Sequence, residues 1–174
     1  MNSPSPWISL RLASLAEALS RTRGPLPPGL NLREANQALD LPQMTALYNE
    51  AYSHEEDGDE ALSQEELARL VWHPGLSPKG AFLAFSGERV VGLGVASAEL
   101  PGPGPGPRRG AVELLAVRPG YQHRGIGRAL LHAALSWLAD RHVTDIRANV
   151  DRPKPLAILQ RYGFVPVPAD EQET

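Results

Sequence analysis

The 174-residue chain contains no cysteine. Disulfide bridges, thiolate metal sites and cysteine nucleophiles are therefore excluded, because each of them needs a cysteine sulfur. The chain also lacks an uninterrupted run of about 18 apolar residues, the length that a membrane-spanning helix needs. The N-terminal run from Ser9 to Leu19 is interrupted by Arg11 and Glu17, so it does not match the apolar core of a secretory signal. We expect a cytoplasmic protein with no membrane partner.

Charge of one sign is missing from two segments. The 17 basic and 20 acidic residues give a net charge of −3, which argues against a nucleic-acid partner bound through counterion release. Ten acids and no Lys or Arg lie between Glu34 and Ala68, whereas Arg118, Arg124 and Arg128 and no carboxylate lie between Leu114 and Ala139. The first segment suits a cation and the second an anion, as in an enzyme with two substrates. The alternative is that both segments are ordinary solvent-exposed surfaces with no ligand.

Apolar periodicity predicts one α/β domain preceded by a short arm. We expect an arm at residues 1–29 and the main domain at residues 30–174. The arm is expected to contain an amphipathic helix and a proline-rich linker. The apolar residues at helical spacing are Ile8, Leu12, Leu15, Ala16 and Leu19. The repeat Pro101 to Pro107 cannot join a central strand, because proline lacks the amide donor. The predicted elements of the main domain are strands at 30–34, 81–85, 89–97, 111–117, 144–150 and 164–167 and helices at 41–52, 63–72, 127–140 and 153–162.

A glycine-containing loop precedes the clearest predicted helix. It reads Gln122-His-Arg-Gly-Ile-Gly127 and follows the strand Val112 to Val117. Its glycines permit close backbone approach, and a helix start offers unpaired N–H groups, so the pattern suits a phosphate site, and a turn that serves only to reverse the chain is the alternative. A Walker loop is excluded because no Gly-Lys-Ser or Gly-Lys-Thr occurs, and a dinucleotide fingerprint because Leu130 occupies the position of its third glycine.

Gln122, Gly125 and Gly127, with a strand before them and a helix after, resemble the signature of the GNAT superfamily of acyl-CoA-dependent N-acyltransferases. The resemblance covers about Leu30 to Val167 and includes the closing residues Tyr162, Gly163 and Phe164. It implies the GNAT fold, an α/β architecture with a mixed, mostly antiparallel sheet, helices on both faces and a splayed strand pair that binds acetyl-CoA.

The resemblance also implies where the cofactor acetyl-CoA binds. The pyrophosphate is expected on backbone amides of the loop and the pantetheine arm along the preceding strand, where an amide near Leu115 or Val117 polarises the thioester carbonyl. A side chain such as that of His123 can instead point to solvent. The expected coenzyme residues are Leu115, Ala116, Val117, Gln122, His123, Arg124, Gly125, Ile126, Gly127 and Arg128.

Glu113 is the candidate catalytic base. An amine with a pKa near 10.4 is protonated at neutral pH and must lose a proton before it attacks a thioester. The alternative for Glu113 is a solvent-facing carboxylate or salt-bridge partner, with Glu50 or Glu56 as the base. Many family members carry a tyrosine as general acid where this chain has Leu159, and Tyr162 lies three residues further along, so the role is not transferred.

The acceptor is expected to be a cationic primary amine, either a small molecule or a peptide. Tyr48, Tyr52, Glu55 and Glu56 are the candidate acceptor residues, and a merely solvated acidic loop is the alternative. No metal site is expected, because the five histidines lack helical metal-ligand spacing. A non-catalytic acyl-CoA-binding module and a purely structural interaction domain are the competing functions. A free sheet edge also permits a homodimer.

Overall fold

The structure is a computed structural model that describes residues 8–52, 61–72, 77–150 and 153–171. Helices and strands alternate through the second half of the chain, which confirms the predicted α/β class. The helices are α1 (Leu15–Thr22), α2 (Gln37–Tyr52), α3 (Gln64–Trp72), α4 (Ile126–Asp140) and α5 (Pro153–Arg161). The strands are β1 (Ile8–Leu12), β2 (Leu30–Glu34), β3 (Lys79–Ser86), β4 (Arg89–Ala98), β5 (Arg109–Val117), β6 (Asp145–Val150) and β7 (Phe164–Pro166).

All seven strands form one sheet in the order β2-β3-β4-β5-β6-β1-β7. Neighbouring strands are antiparallel except β5 and β6, which are parallel. The parallel pair is joined only where Arg109–Ala111 faces Asp145–Arg147, and the remaining six residues of β5 have no partner on β6. The two strands therefore separate toward their carboxyl ends, as the splayed pair of the predicted fold requires.

Helices cover the sheet on both faces. The helices α1, α4 and α5 pack on one face, over a core that includes Leu10, Leu130 and Phe164. The helices α2 and α3 pack on the other face, over a core that includes Met44 of α2 and Leu93 of β4. No helix within the described ranges is long and apolar enough to cross a membrane.

The N-terminal residues differ from the prediction, because Ile8–Leu12 is a strand and the helix begins only at Leu15. Leu10 and Leu12 are buried while Ser9 and Arg11 alternate with them, and the Ser14 hydroxyl accepts the Glu17 amide to start α1. Leu12 fits both a helical and a strand period, and pairing of β1 with β6 and β7 decides between them. The predicted arm thus contributes a strand and a helix to the layered fold.

The two helices after β2 start differently from each other. Helix α2 begins at Gln37, four residues before the predicted start, because the Asn36 side chain caps it by accepting the Ala38 amide at 3.0 Å. Pro42 lies inside α2 and not in its first turn. Helix α3, predicted over 63–72, starts at Gln64 after a capping box, in which the Ser63 amide donates to Glu66 and the Glu66 amide to Ser63.

Candidate functional site

The gap between β5 and β6 presents backbone donors. The Arg118 amide, directly after β5, donates to the Val91 carbonyl of β4 at 2.8 Å. Successive strand residues direct their N–H groups to alternate edges, so Leu115 and Val117 direct theirs away from β4 and toward the gap. An extended ligand in the gap can therefore pair with these two residues as a further strand would.

The start of α4 lies at the open end of this gap. Gly125 precedes the helix with φ of +85°, a left-handed conformation that favours glycine, and no side chain caps the helix. The first helical hydrogen bond runs from the Ala129 amide to the Gly125 carbonyl, so the amides of Ile126, Gly127 and Arg128 have no acceptor one turn earlier in the helix. The first turn contains no acid. The chemistry of these donors fits a phosphate or pyrophosphate.

Three loop side chains stay near this helix start. Gln122 donates from its side-chain amide to the Val117 carbonyl at 3.2 Å, which fixes the loop to the end of β5. The Arg124 guanidinium lies 5.4 Å from the ring centre of Tyr121, and both Arg124 and His123 are exposed. His123 adopts a φ of +62°. Arg124 is the loop guanidinium that remains accessible to an anion.

Two other arginines of the predicted anion-facing set point inward. Arg118 is buried, donates to the Val90 carbonyl and pairs with Glu50 of α2. The Arg128 guanidinium donates to the carbonyls of Thr22 and Pro25, at 2.6 and 2.8 Å, where α1 ends. The guanidinium groups of both side chains therefore have partners within the fold, and their contribution to an anion site stays a prediction.

Ile126 and Gly127 contribute backbone atoms to the helix start while facing the protein interior. Ile126 is buried against the sheet. A Cβ on Gly127 would lie 2.7 Å from Cδ1 of Ile158 on α5. The small size of Gly127 thus serves close packing of α5 on α4, and the left-handed turn depends on Gly125.

Glu113 lies where the pairing of β4 with β5 is irregular. Val95 faces Leu114 and Ala96 faces Val112, so Glu113 is an extra residue on β5. Its Oε1 accepts from the Ser97 hydroxyl at 2.5 Å, and its Oε2 lies 3.5 Å from the Lys79 ammonium. Glu113 therefore has two partners while about a third of its side chain stays exposed.

The predicted acceptor residues are placed in part. Tyr48 and Tyr52 lie on one side of α2 with ring centres 4.6 Å apart, and both pack against the core that includes Ala116 of β5. Glu55 and Glu56 lie outside the described residues. Glu50, a reserve candidate for the base, is paired with Arg118.

The position of the absent tyrosine is part of the core. Leu159 is buried between α5 and the sheet, and Tyr162 is buried with Arg21 and Arg161 near its ring. Both side chains are part of the core, and a leucine side chain has no proton to donate. Within the described ranges, no group of three His, Cys, Asp or Glu residues is placed to hold a metal ion.

Sequence reasoning missed Ser97 and Lys79, the two partners of Glu113. They lie 16 and 34 residues from it in the chain, so local spacing could not connect them. A weak signal existed, because Ser97 interrupts the apolar strand Val90 to Ala98. Its position two residues after Val95 predicts the same sheet face.

Comparison with known proteins agrees with this architecture. The chain is 31% identical over 147 residues to the mycothiol acetyltransferase of Streptomyces scabiei (strain 87.22), a match that covers 83% of this chain and 46% of that protein. The chain spans about half the length of the curated relatives that it matches.

Solved structures share the fold at low sequence identity. A glucosamine N-acetyltransferase region of a fungal multi-domain beta-N-acetylglucosaminidase has a TM-score of 0.65 and 19% identity, covering 80% of this chain and 17% of that one. An aminoglycoside N-acetyltransferase in complex with CoA has a TM-score of 0.61 and 16% identity, covering 82% and 92%. Residues 41–164 match the model of the acetyltransferase (GNAT) family. The chain therefore belongs to the GNAT acetyltransferase family.

Proposed function

We propose that the chain transfers an acetyl group from acetyl-CoA to a primary amine. The observation that carries this proposal is the uncapped start of α4, with its three available amides, at the open end of the gap between β5 and β6. An anion at the helix start and an extended arm in the gap are the two parts of an acyl-CoA molecule that such a site suits. The family membership of the chain supports the same cofactor.

Each part of the site has a separate task in the proposal. The amides of Ile126, Gly127 and Arg128 hold the pyrophosphate, and Gln122, His123, Arg124 and Gly125 shape the loop around it. Leu115, Ala116 and Val117 lie along the pantetheine arm, with the N–H groups of Leu115 and Val117 as donors. When bound, acetyl-CoA supplies a thioester carbonyl carbon and a thiolate leaving group.

The reaction begins at the acceptor nitrogen. Glu113 accepts a proton from the acceptor ammonium, directly or through a water molecule, which leaves a neutral amine. The nitrogen would bond to the thioester carbonyl carbon as the carbon–sulfur bond breaks, and its second proton would pass to the departing thiolate. The N–H of Leu115 or Val117 would stabilise the negative charge that develops on the carbonyl oxygen. A thiol has a pKa near 8.5, so thiolate departure does not require a protein acid in the place of Leu159.

The acceptor that we propose is a small molecule with a cationic amine. Tyr48 and Tyr52 offer adjacent rings on the α2 side of the sheet, the side on which Glu113 meets Ser97. Glu55 and Glu56 belong to the proposal as acidic residues of the segment that follows α2. The names of the relatives, which refer to mycothiol, glucosamine and aminoglycosides, support a small amine-bearing acceptor.

Binding is tested by thermal unfolding with and without acetyl-CoA. A ligand at 100 times its dissociation constant adds about 2.7 kcal/mol, which corresponds to a rise in Tm of roughly 5–10 °C for a chain of this size. Gly125→Glu places a carboxylate at the helix start and should abolish the rise. The matched control is Gly87→Glu in the β3–β4 turn, which also has a positive φ and open space and should keep the rise. An unchanged Tm of the unmodified protein would contradict the proposal.

Turnover distinguishes the enzyme from a non-catalytic acyl-CoA-binding module. The buried Leu159, in place of the usual tyrosine, is the observation that favours the module. Release of free CoA is measured over a panel of polyamines, aminoglycosides, amino sugars and peptide amines. Amine-dependent release that Glu113→Gln reduces at least about 100-fold in kcat supports the enzyme and its base. A Tm shift without release from any amine supports the module.

A further inference from the structure

We propose that Lys79 and Ser97 are positioning residues that hold the Glu113 carboxylate where the acceptor amine reacts. This inference rests on the proposed function, because it takes Glu113 as the base. It concerns two residues that neither the signature of the glycine loop nor the coenzyme site includes. Neither is proposed to touch the substrate.

The backbone at Glu113 is the first part of the arrangement. Glu113 has no register partner on β4, since the pairing passes from Val112 opposite Ala96 to Leu114 opposite Val95. An extra residue of this kind re-aims its side chain relative to regular strand alternation. Regular strand pairing does not set the orientation of the Glu113 side chain at this position. Contacts with other side chains must therefore hold the carboxylate toward the reacting amine.

Ser97 supplies the first of these contacts. Its hydroxyl donates to Oε1 of Glu113 at 2.5 Å, and the residue is only 7% exposed. Ser97 follows Val95 by two residues on β4 and shares its sheet face, the face covered by α2 and α3. A hydroxyl buried there costs free energy unless it is hydrogen-bonded, and Glu113 is the partner shown for it.

Lys79 supplies the second contact, from the opposite oxygen. Its side chain is 8% exposed, and Nζ lies 3.5 Å from Oε2 of Glu113 and 2.5 Å from the Leu70 carbonyl. Leu70 is in the last turn of α3, where carbonyls lack a helical donor and carry the negative end of the helix dipole. The ammonium is therefore anchored to α3 while it holds Glu113.

These contacts leave the carboxylate fixed but reachable. Burying an ammonium is expensive, and here a carbonyl and a carboxylate compensate it. The side chain of Glu113 is 34% exposed, so both its oxygens are engaged from the protein side while part of the group faces outward. An ion pair that serves only to brace β3, β4 and β5 would affect stability without affecting turnover. Kinetic measurements therefore distinguish a bracing role from a positioning role.

The experiment measures steady-state kinetics with acetyl-CoA and the amine of the panel that gives the highest rate. Lys79→Met and Ser97→Ala are each expected to lower kcat about tenfold or more, with the KM for acetyl-CoA unchanged within twofold. Lys79→Arg and Ser97→Thr retain the ammonium-like charge and the hydroxyl, and should restore kcat to within about threefold of the unmodified protein. Arg69→Met is the matched control, because Arg69 pairs with Glu65 on the exposed side of α3 and should leave kcat unchanged.

The outcomes separate this inference from the proposed function. If Glu113→Gln lowers kcat at least about 100-fold while Lys79→Met and Ser97→Ala stay within twofold of the unmodified protein, the positioning roles are wrong and the base remains. If Glu113→Gln itself retains kcat, or no amine is acetylated, the proposed function fails and the inference fails with it. Ser97→Ala removes a single oxygen and keeps the test decisive if Lys79→Met does not fold.

Discussion

Asp40 has a buried carboxylate held by three donors at the start of α2. The two guanidinium nitrogens of Arg33 donate to it at 2.7 and 2.8 Å, and the Asn36 amide donates at 2.7 Å. The Arg33 hydrogen bonds lower the pKa of Asp40 against the opposing effect of burial, and the Asn36 amide lowers it further. A carboxyl whose folded pKa is lowered stabilises the fold above its unfolded pKa of about 3.9. This stability is lost as the pH falls through the folded pKa.

Asp40→Asn is therefore expected to lower the free energy of unfolding by about 1–3 kcal/mol at pH 7. The difference from the unmodified protein should begin to shrink below about pH 4, where the unfolded carboxyl takes up a proton, and should go on shrinking as the pH falls through the lowered folded pKa. Urea unfolding of both proteins at pH 7, 5 and 3 measures this difference in the free energy of unfolding. Glu65→Gln is the control, since its exposed pair with Arg69 contributes little at any pH. A difference that stays constant down to pH 3 would show that Asp40 acts through packing alone.

The site residues that sequence could predict are those set by local backbone chemistry. Gly125 and Gly163 were predicted from their places before and after a helix, and both have a positive φ. The directions of Arg118 and Arg128 were not predictable, because a long side chain selects among acceptors brought near by the fold. Their partners lie 68 and 106 residues away along the chain. Spacing identifies a cation but does not identify the group that it faces.

Helix α4 packs on β3 through a contact between a glycine and an aromatic ring. A Cβ on Gly80 would lie 2.7 Å from two ring atoms of Trp137, and a rigid ring cannot give way as a flexible chain end can. Gly80→Ala is expected to lower the free energy of unfolding by about 1–3 kcal/mol and to change the tryptophan emission. Chemical unfolding followed by fluorescence tests both effects.

A second substitution tests whether the clash with Trp137 causes the loss of stability in Gly80→Ala. Trp137→Phe in the Gly80→Ala background should recover part of the lost stability, since a smaller ring leaves room for the added methyl group. Gly102→Ala has open space around its Cβ and should leave the free energy of unfolding within about 0.5 kcal/mol. Equal losses in the single and double variants would mean that Gly80 matters for backbone conformation and not for the contact with Trp137.

Elements with one strong period were predicted well, and elements with mixed signals were not. The strand Leu30–Glu34 was predicted with its observed bounds, and Ile126, Leu130 and Trp137 of α4 are buried as their helical spacing requires. Helix α2 was predicted to start at Leu41, four residues late, because its cap at Asn36 was not recognised in the sequence. β1 was missed because Ile8 and Leu12 also fit a helical period, and only the partners of the strand in the sheet settle its form.

The whole sheet depends on contacts between distant parts of the sequence. β1 lies between β6 and β7, so the first described strand joins the last two. No periodicity predicts such an order, because a strand pattern specifies two faces but not the neighbours along the edge. The fold class was predictable from alternating elements, and the position of β1 was not. Because β1 lies inside the sheet, the stability of the whole fold depends on it.

Removal of residues 1–23 is expected to abolish cooperative unfolding. The truncation takes Leu10, Leu12 and Ala18 from the core and leaves β6 and β7 without their shared partner. A buried leucine contributes about 2–5 kcal/mol, so two of them approach the 5–15 kcal/mol that stabilises a typical domain. Circular dichroism and calorimetry should show no sharp transition. Deletion of residues 102–105 is the control, because this exposed stretch lies outside the strands. A truncated chain with the Tm of the full chain would mean that residues 1–29 are an appended arm after all.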